Sequence, residues 1–193
     1  SAVPALGGRT ITVGHEVSEL QLQRLIGQGR DPVTRQALGS PYRKYPTVTE
    51  RIEHRTLRLD ADLPVTERAD AVATIAAEES ARGVRKAVAG FDFTFSVPKS
   101  ASVLWAVSDA GTQSLIADAH HAAVAEMVAF IEREVAATRV GAAGRNGAVA
   151  QADVSGVIAT AFDHYDSRAG DPHLHTHVVI SNKVQIVHDG KWR

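Results

Sequence analysis

The stretch FDHYDSRAGDPHLHTHVVISNKVQ, residues 162–185, constrains this chain more than any other, because it gathers four of the nine histidines. Residues 173–181 run HLHTHVVIS. That period of two, ending in β-branched residues, predicts a strand with His173, His175 and His177 on one face. Those three cannot share one ion. Side chains two positions apart on a strand lie ~6.8 Å apart, which separates His173 from His177 by ~13 Å, whereas imidazoles on one metal converge through bonds of ~2.1 Å. Two neighbours can serve, and a third ligand must come from elsewhere.

His164 is the natural candidate. IATAFDHY reads as a second strand, and the intervening DSRAGDP is rich in turn formers, so the two segments predict an antiparallel hairpin. With His164 opposite His175, Phe162 falls opposite His177, and His164, His175 and His177 share a face. Three neutral imidazoles leave coordination positions open on a divalent ion, which suits Lewis-acid polarisation of a phosphoryl or carbonyl oxygen better than a closed structural site.

The run FDHYDSRAGDPHLHTHVV, together with GFDFTFSVPKSASVLW at Gly90–Trp105, resembles the catalytic core of MobF-type conjugative relaxases, within the HUH endonucleases. The family pattern is a histidine in an F-x-H-x-x-S-R context eleven residues before an H-x-H pair, which His164, His175 and His177 match. His173 stands where many members carry glutamine, so the resemblance gives it no ligand role. The resemblance implies an α+β, HUH relaxase-like domain. Its implied activity is metal-dependent, site- and strand-specific nicking of single-stranded DNA at an origin of transfer, in conjugation and plasmid mobilization, by tyrosine transesterification.

Asp92 lies on the polar face of the strand FDFTFSV, whose other face is Phe91, Phe93, Phe95 and Val97. A carboxylate there can accept the second N–H of a metal-bound imidazole or the phenolic proton of an attacking tyrosine; the resemblance assigns it the activating role. Lys99 and Ser100 follow at a strand-to-helix junction suited to a DNA phosphate. Arg168, in the histidine turn, is placed either to reach a phosphate or to bridge Asp166 or Asp171. Arg82 and Arg85, with Lys86, form a local basic cluster before the second motif, and Arg51, Arg55 and Arg58 form another; either is a DNA contact or plain surface.

With a formal charge of −1 over 193 residues, DNA binding requires such local concentration of positive charge. The length and a 44% hydrophobic content suggest a single domain spanning 1–193. Absence of cysteine removes disulfides and thiolate–metal sites. No uninterrupted apolar run approaches ~18 residues and no signal pattern opens the chain, so the expectation is a cytoplasmic protein with no membrane partner.

In chain order, residues 1–10 read as an irregular entry, Ser18 as the cap of a helix ending near Gly27 or Gly29, and residues 30–46 as loop. A polar helical pattern runs from Thr47 to Ala89, with Thr66 as a capping candidate. Ser100 is expected to cap ASVLWAVS, and TQSLIADAHHAAVAEMVAFIEREVAATRV to form one long helix with His120 and His121 at its surface or partly packed. GAAGRNG reads as a turn, and a short helix can precede residue 158. The order favours a central antiparallel sheet covered by helices on one side.

The relaxases resembled here attack with a tyrosine near their N-terminus. Tyr42, Tyr45 and Tyr165 have no matching context, so the chain reads as a fragment lacking the tyrosine segment and a C-terminal continuation, inactive in nicking by itself. Ligand preference admits manganese, zinc or nickel, while a phosphate substrate favours magnesium or manganese. Origin-of-transfer DNA is the implied partner, with conjugative accessory and coupling proteins as further partners. The rival reading is a non-cleaving DNA-binding or assembly module that keeps the fold and metal site.

Overall fold

Ten helices and strands are built from these signals in the computed structural model, which describes residues 16–141 and 149–193. The irregular entry at 1–10 and nearly all of the 141–147 turn lie outside the described residues. In order they are α1 (Glu19–Leu22, continued by a π turn at Gln23–Gly27), α2 (Val48–Thr56), α3 (Val65–Ala81), β1 (Gly90–Ser96), α4 (Lys99–Val107), α5 (Ala110–Phe130, continued by a π turn at Ile131–Val135), β2 (Ala137–Gly141), β3 (Val149–Asp153), β4 (Ala159–Asp166) and β5 (Pro172–Ser181). The chain divides into two units, Ser1–Pro41 with Ala89–Arg193, and Tyr42–Val88.

In the larger unit a three-stranded antiparallel sheet has the order β1–β5–β4. β5 is central and carries HLHTHVVIS, and Pro172 is tolerated as its first residue. One sheet face is apolar in part: Val178 and Ile180 join Val124 of α5 and Val157 in the core, with Phe95, Val128, Ile131 and Ala136 packed around them. Phe91 and Phe93, on the edge strand β1, stay exposed. Gly90 admits the chain close to β5, since a Cβ there would lie 2.6 Å from the Ile180 carbonyl oxygen. The histidines occupy the opposite face. The α+β architecture with an antiparallel sheet is therefore present.

Asp109 caps α5, its Oδ1 accepting from the Gly111 and Thr112 amides at 2.9 and 3.0 Å. The helical segment Ala110–Val135 is long and apolar enough to cross a membrane by length and composition alone, which a search for uninterrupted apolar runs misses. Its contacts are those of a sheet-covering helix: Val124 enters the core and His120 and His121 bond to strand residues.

Four local expectations need correction. The helix does not run through AATRV; Ala136 is extended, and Ala137–Gly141 pairs with Val149–Asp153 as a two-stranded ladder, replacing the short helix expected before residue 158. Ser100 is not a cap. Pro98 holds the cap position, and its carbonyl already accepts from the Ala101 and Ser102 amides, leaving Ser100 in the first turn of α4. Thr66 likewise sits inside α3, where Pro64 precedes the first helical residue.

The polar helical pattern from Thr47 to Ala89 is split. In the Tyr42–Val88 unit, a capping box between Thr47 and Glu50 starts α2, and turns at residues 57–62 with Pro64 separate it from α3. Gly83, at φ +68°, ends the second helix, as a left-handed glycine does, and residues 83–89 have no regular structure. Glu79 is 1% exposed and receives Arg51 Nε at 2.7 Å, Arg55 at 2.9 Å and Arg82 at 3.2 Å. Those guanidinium groups, Arg51 first, hold its carboxyl down at about 2.

Candidate metal centre

Register brings the histidines together. Across β4 and β5, His164 pairs with His175 and Phe162 with His177, as the hairpin reading expects. Across β1 and β5, Thr94 pairs with His177 and Ser96 with His175. Directly opposed residues share a face, so His164, His175, His177, Thr94 and Asp92 stand on one side of the sheet. The three rings form a near-regular triangle, with centroids 5.1, 5.1 and 5.3 Å apart. One nitrogen from each lies within 4.8 Å of the other two.

Hydrogen bonds fix two of the tautomers. His175 Nδ1 donates to the His173 carbonyl at 2.7 Å, and His177 Nδ1 donates to Asp92, 3.0 Å from both carboxylate oxygens. Thr94 Oγ1 lies 3.3 Å from the same nitrogen. With both Nδ1 atoms committed as donors, Nε2 of each ring keeps a free lone pair for a cation, and a carboxylate behind an imidazole raises its basicity as a ligand. His175 is buried and His177 partly so, while His164 is exposed, leaving an open approach. The donor set fits a divalent ion. Bonds of ~2.1 Å require only that the three nitrogens close up to roughly 3.4 Å.

His173 stacks on His175 at 4.5 Å and stands outside the triad, where the resemblance leaves it. Lys99 is already engaged: its ammonium bonds to the Asp171 carboxylate and, at 2.8 Å, to the Pro172 carbonyl. Lys99, with Ser167, keeps the Asp171 carboxyl at about 2. Arg168 makes no ion pair among the described residues, so the Asp166 or Asp171 bridge is not formed. Arg82 is bound to Glu79 and Arg85 is exposed; both belong to the Tyr42–Val88 unit. Tyr165 stacks on Trp105 of α4 at 5.2 Å.

Several residues around the site escape the sequence reading. Ser102 is fully buried and its Oγ accepts from the Leu174 amide at 3.1 Å, tying α4 to the histidine strand. Asp163 and Thr176 are polar at positions that period two assigns to the helix-covered face, which is the signal that marks them.

The TrwC relaxase family profile matches residues 1–193. The chain belongs to the TrwC relaxase family. The chain is 40% identical over 111 residues to the multifunctional conjugation protein TraI of Escherichia coli, covering 58% of the chain and 6% of that protein. To TraI of Escherichia coli strain K12 it is 38% identical over 104 residues, covering 54% and 5%. The chain thus spans about one-twentieth of the length of these curated relatives. Among solved structures, the metal-bound conjugative relaxase TrwC in complex with oriT DNA is 34% identical, covering 56% of this chain and 35% of that chain, with a TM-score of 0.47. TrwC complexed with a 27-mer DNA comprising the recognition hairpin and the cleavage site is 34% identical, covering 54% and 34%, with a TM-score of 0.43.

Proposed function

We propose that this relaxase chain supplies the metal-holding core for cutting one strand of DNA at an origin of transfer, acting in the cytoplasm. The observation that carries the reading is the convergence of His164, His175 and His177 on one open sheet face, with Asp92 bonded to the back of His177. Membership of the TrwC relaxase family and the similarity to the conjugation protein TraI support it.

A divalent ion held there supplies Lewis-acid polarisation of the scissile phosphate. His175 and His177 present Nε2 because their Nδ1 protons are held by the His173 carbonyl and by Asp92. Asp92 keeps His177 in that orientation, and its exposed carboxylate retains lone pairs to accept a phenolic proton. In this reading the nucleophile is a tyrosine outside residues 1–193: its oxygen forms the new bond to phosphorus, the bond to the leaving 3′ oxygen breaks, and the phenolic proton passes to Asp92. Tyr165 is turned onto Trp105 and takes no part.

The test uses the full-length protein and a single-stranded oligonucleotide containing its transfer origin, with peptide mass mapping of covalent products. A 5′-phosphotyrosyl adduct outside residues 1–193, lost in His175→Ala, supports the proposal. DNA binding without any adduct would leave the non-cleaving module; an adduct on Tyr42, Tyr45 or Tyr165 would overturn the assignment of the nucleophile.

A further inference from the structure

Directly behind the histidine triad, on the helix-covered face, four polar side chains form a continuous chain of hydrogen bonds. Thr176 Oγ1 donates to Asp163 Oδ1 at 2.6 Å. His121 Nε2 lies 2.8 Å from Asp163 Oδ2, and His120 Nε2 lies 2.8 Å from Thr176 Oγ1. The Thr176 hydroxyl spends its only proton on Asp163, so the His120 contact requires an Nε2–H donor; the carboxylate makes the same demand of His121. His120 is 6% and Thr176 1% exposed. Burial, with His121 next, pushes the His120 imidazole below its usual value, consistent with a neutral ring in one tautomer.

The place of this chain in the ladder gives it a purpose beyond filling space. Asp163 and Thr176 are direct cross-strand partners, and their pair lies between Phe162–His177 and His164–His175. Thr176 separates two members of the triad in sequence, and Asp163 precedes the third. Apolar side chains would fill the positions of His120 and Thr176 at no desolvation cost, whereas these two buried polar groups are tolerated because each is satisfied, by the other and by Asp163. We propose that the His120–Thr176–Asp163–His121 network is the positioning device of the metal centre, clamping the one rung of the hairpin that sets the spacing of His164, His175 and His177 and orienting it against α5.

The inference rests on the metal reading above and is tested separately from it, in the full-length protein with cobalt(II) alone as the probe. Thr176→Val keeps the β-branched shape and removes the hydroxyl; Thr176→Ser keeps the hydroxyl. Cobalt affinity by calorimetry should fall roughly tenfold in Thr176→Val, by analogy with other supporting shells, with a changed visible cobalt absorption, and Thr176→Ser should recover most of both. His121→Ala, at the exposed end, should weaken cobalt binding with little change in Tm. In nitrogen-15 NMR of the metal-free protein, His120 should show the Nε2–H tautomer, lost in Thr176→Val. A parent protein that binds no cobalt would overturn the metal reading and this inference together. Cobalt binding and spectra equal to the parent in folded Thr176→Val and His121→Ala would overturn the inference alone, leaving the network as core packing.

Discussion

Both carboxylate oxygens of Asp92 lie 3.0 Å from Nδ1 of His177, although the two residues are 85 apart in the chain. The contact crosses from the edge strand to the central one and borders the histidine triad on the side away from His164. Removing it with Asp92→Ala should weaken manganese binding by roughly 10–100-fold, with Asp92→Asn intermediate because its amide oxygen still accepts the imidazole proton. Titration calorimetry reads the effect; an Asp92→Ala protein that binds as the parent does would separate the carboxylate from the metal.

His175 and His173 should behave differently despite adjacent rings. His175 is in the triad and His173 only stacks on it, while the bond from His175 Nδ1 uses the backbone carbonyl of His173, which a side-chain substitution retains. His175→Ala should abolish stoichiometric metal binding and His173→Ala should spare it. Equal loss in the two variants would show the ligand set to be wrong.

How much of this was legible follows from which forces act locally. The hairpin register could be read because alternation, turn formers and β-branched residues all agree over residues 158–181, and a slip by one residue would turn every histidine over. The strand Ala137–Gly141 could not, since its alanine and arginine continue a helix former's composition; the helix ends where Glu132 accepts from the Val157 amide at 3.1 Å, a partner 25 residues away. The burial of His120 was equally hidden. It depends on Thr176, 56 residues on, and a histidine on a helix carries no local mark of such a partner.

Salt dependence of DNA binding should distinguish the two basic residues near the hairpin turn. Arg168 has no ion-pair partner among the described residues, so Arg168→Ala should reduce the slope of log affinity against log salt by ~0.7 for one lost phosphate contact on single-stranded DNA. Lys99 is held by Asp171, and Asp171→Asn should release it and strengthen binding at low salt. Fluorescence anisotropy with a labelled strand measures both; unchanged slopes would move the DNA path elsewhere.

Acid stability should depend on Glu79. Its carboxyl is lowered from 4.5 to about 2 by Arg51 foremost, then Arg55, so the stability it contributes is fully present above about 4.5 and is lost as pH falls toward 2. Glu79→Gln should lower the melting temperature near neutral pH, and the gap from the parent should close across that window. Circular dichroism melts from pH 7 downward provide the check. A constant gap at every pH would mean that packing rather than charge is lost.

The sheet order β1–β5–β4 places the last-translated of its three strands in the middle. During synthesis, β1 and β4 have no neighbour in this sheet until Ser181 has left the ribosome, and Phe91, Phe93 and Phe95 are displayed on an unpaired edge, the kind of surface that invites association with other nascent chains. β5 completes both ladders and brings His175 and His177 beside His164 and Asp92. The element that completes the histidine cluster is therefore also the one that covers the exposed edge of β1.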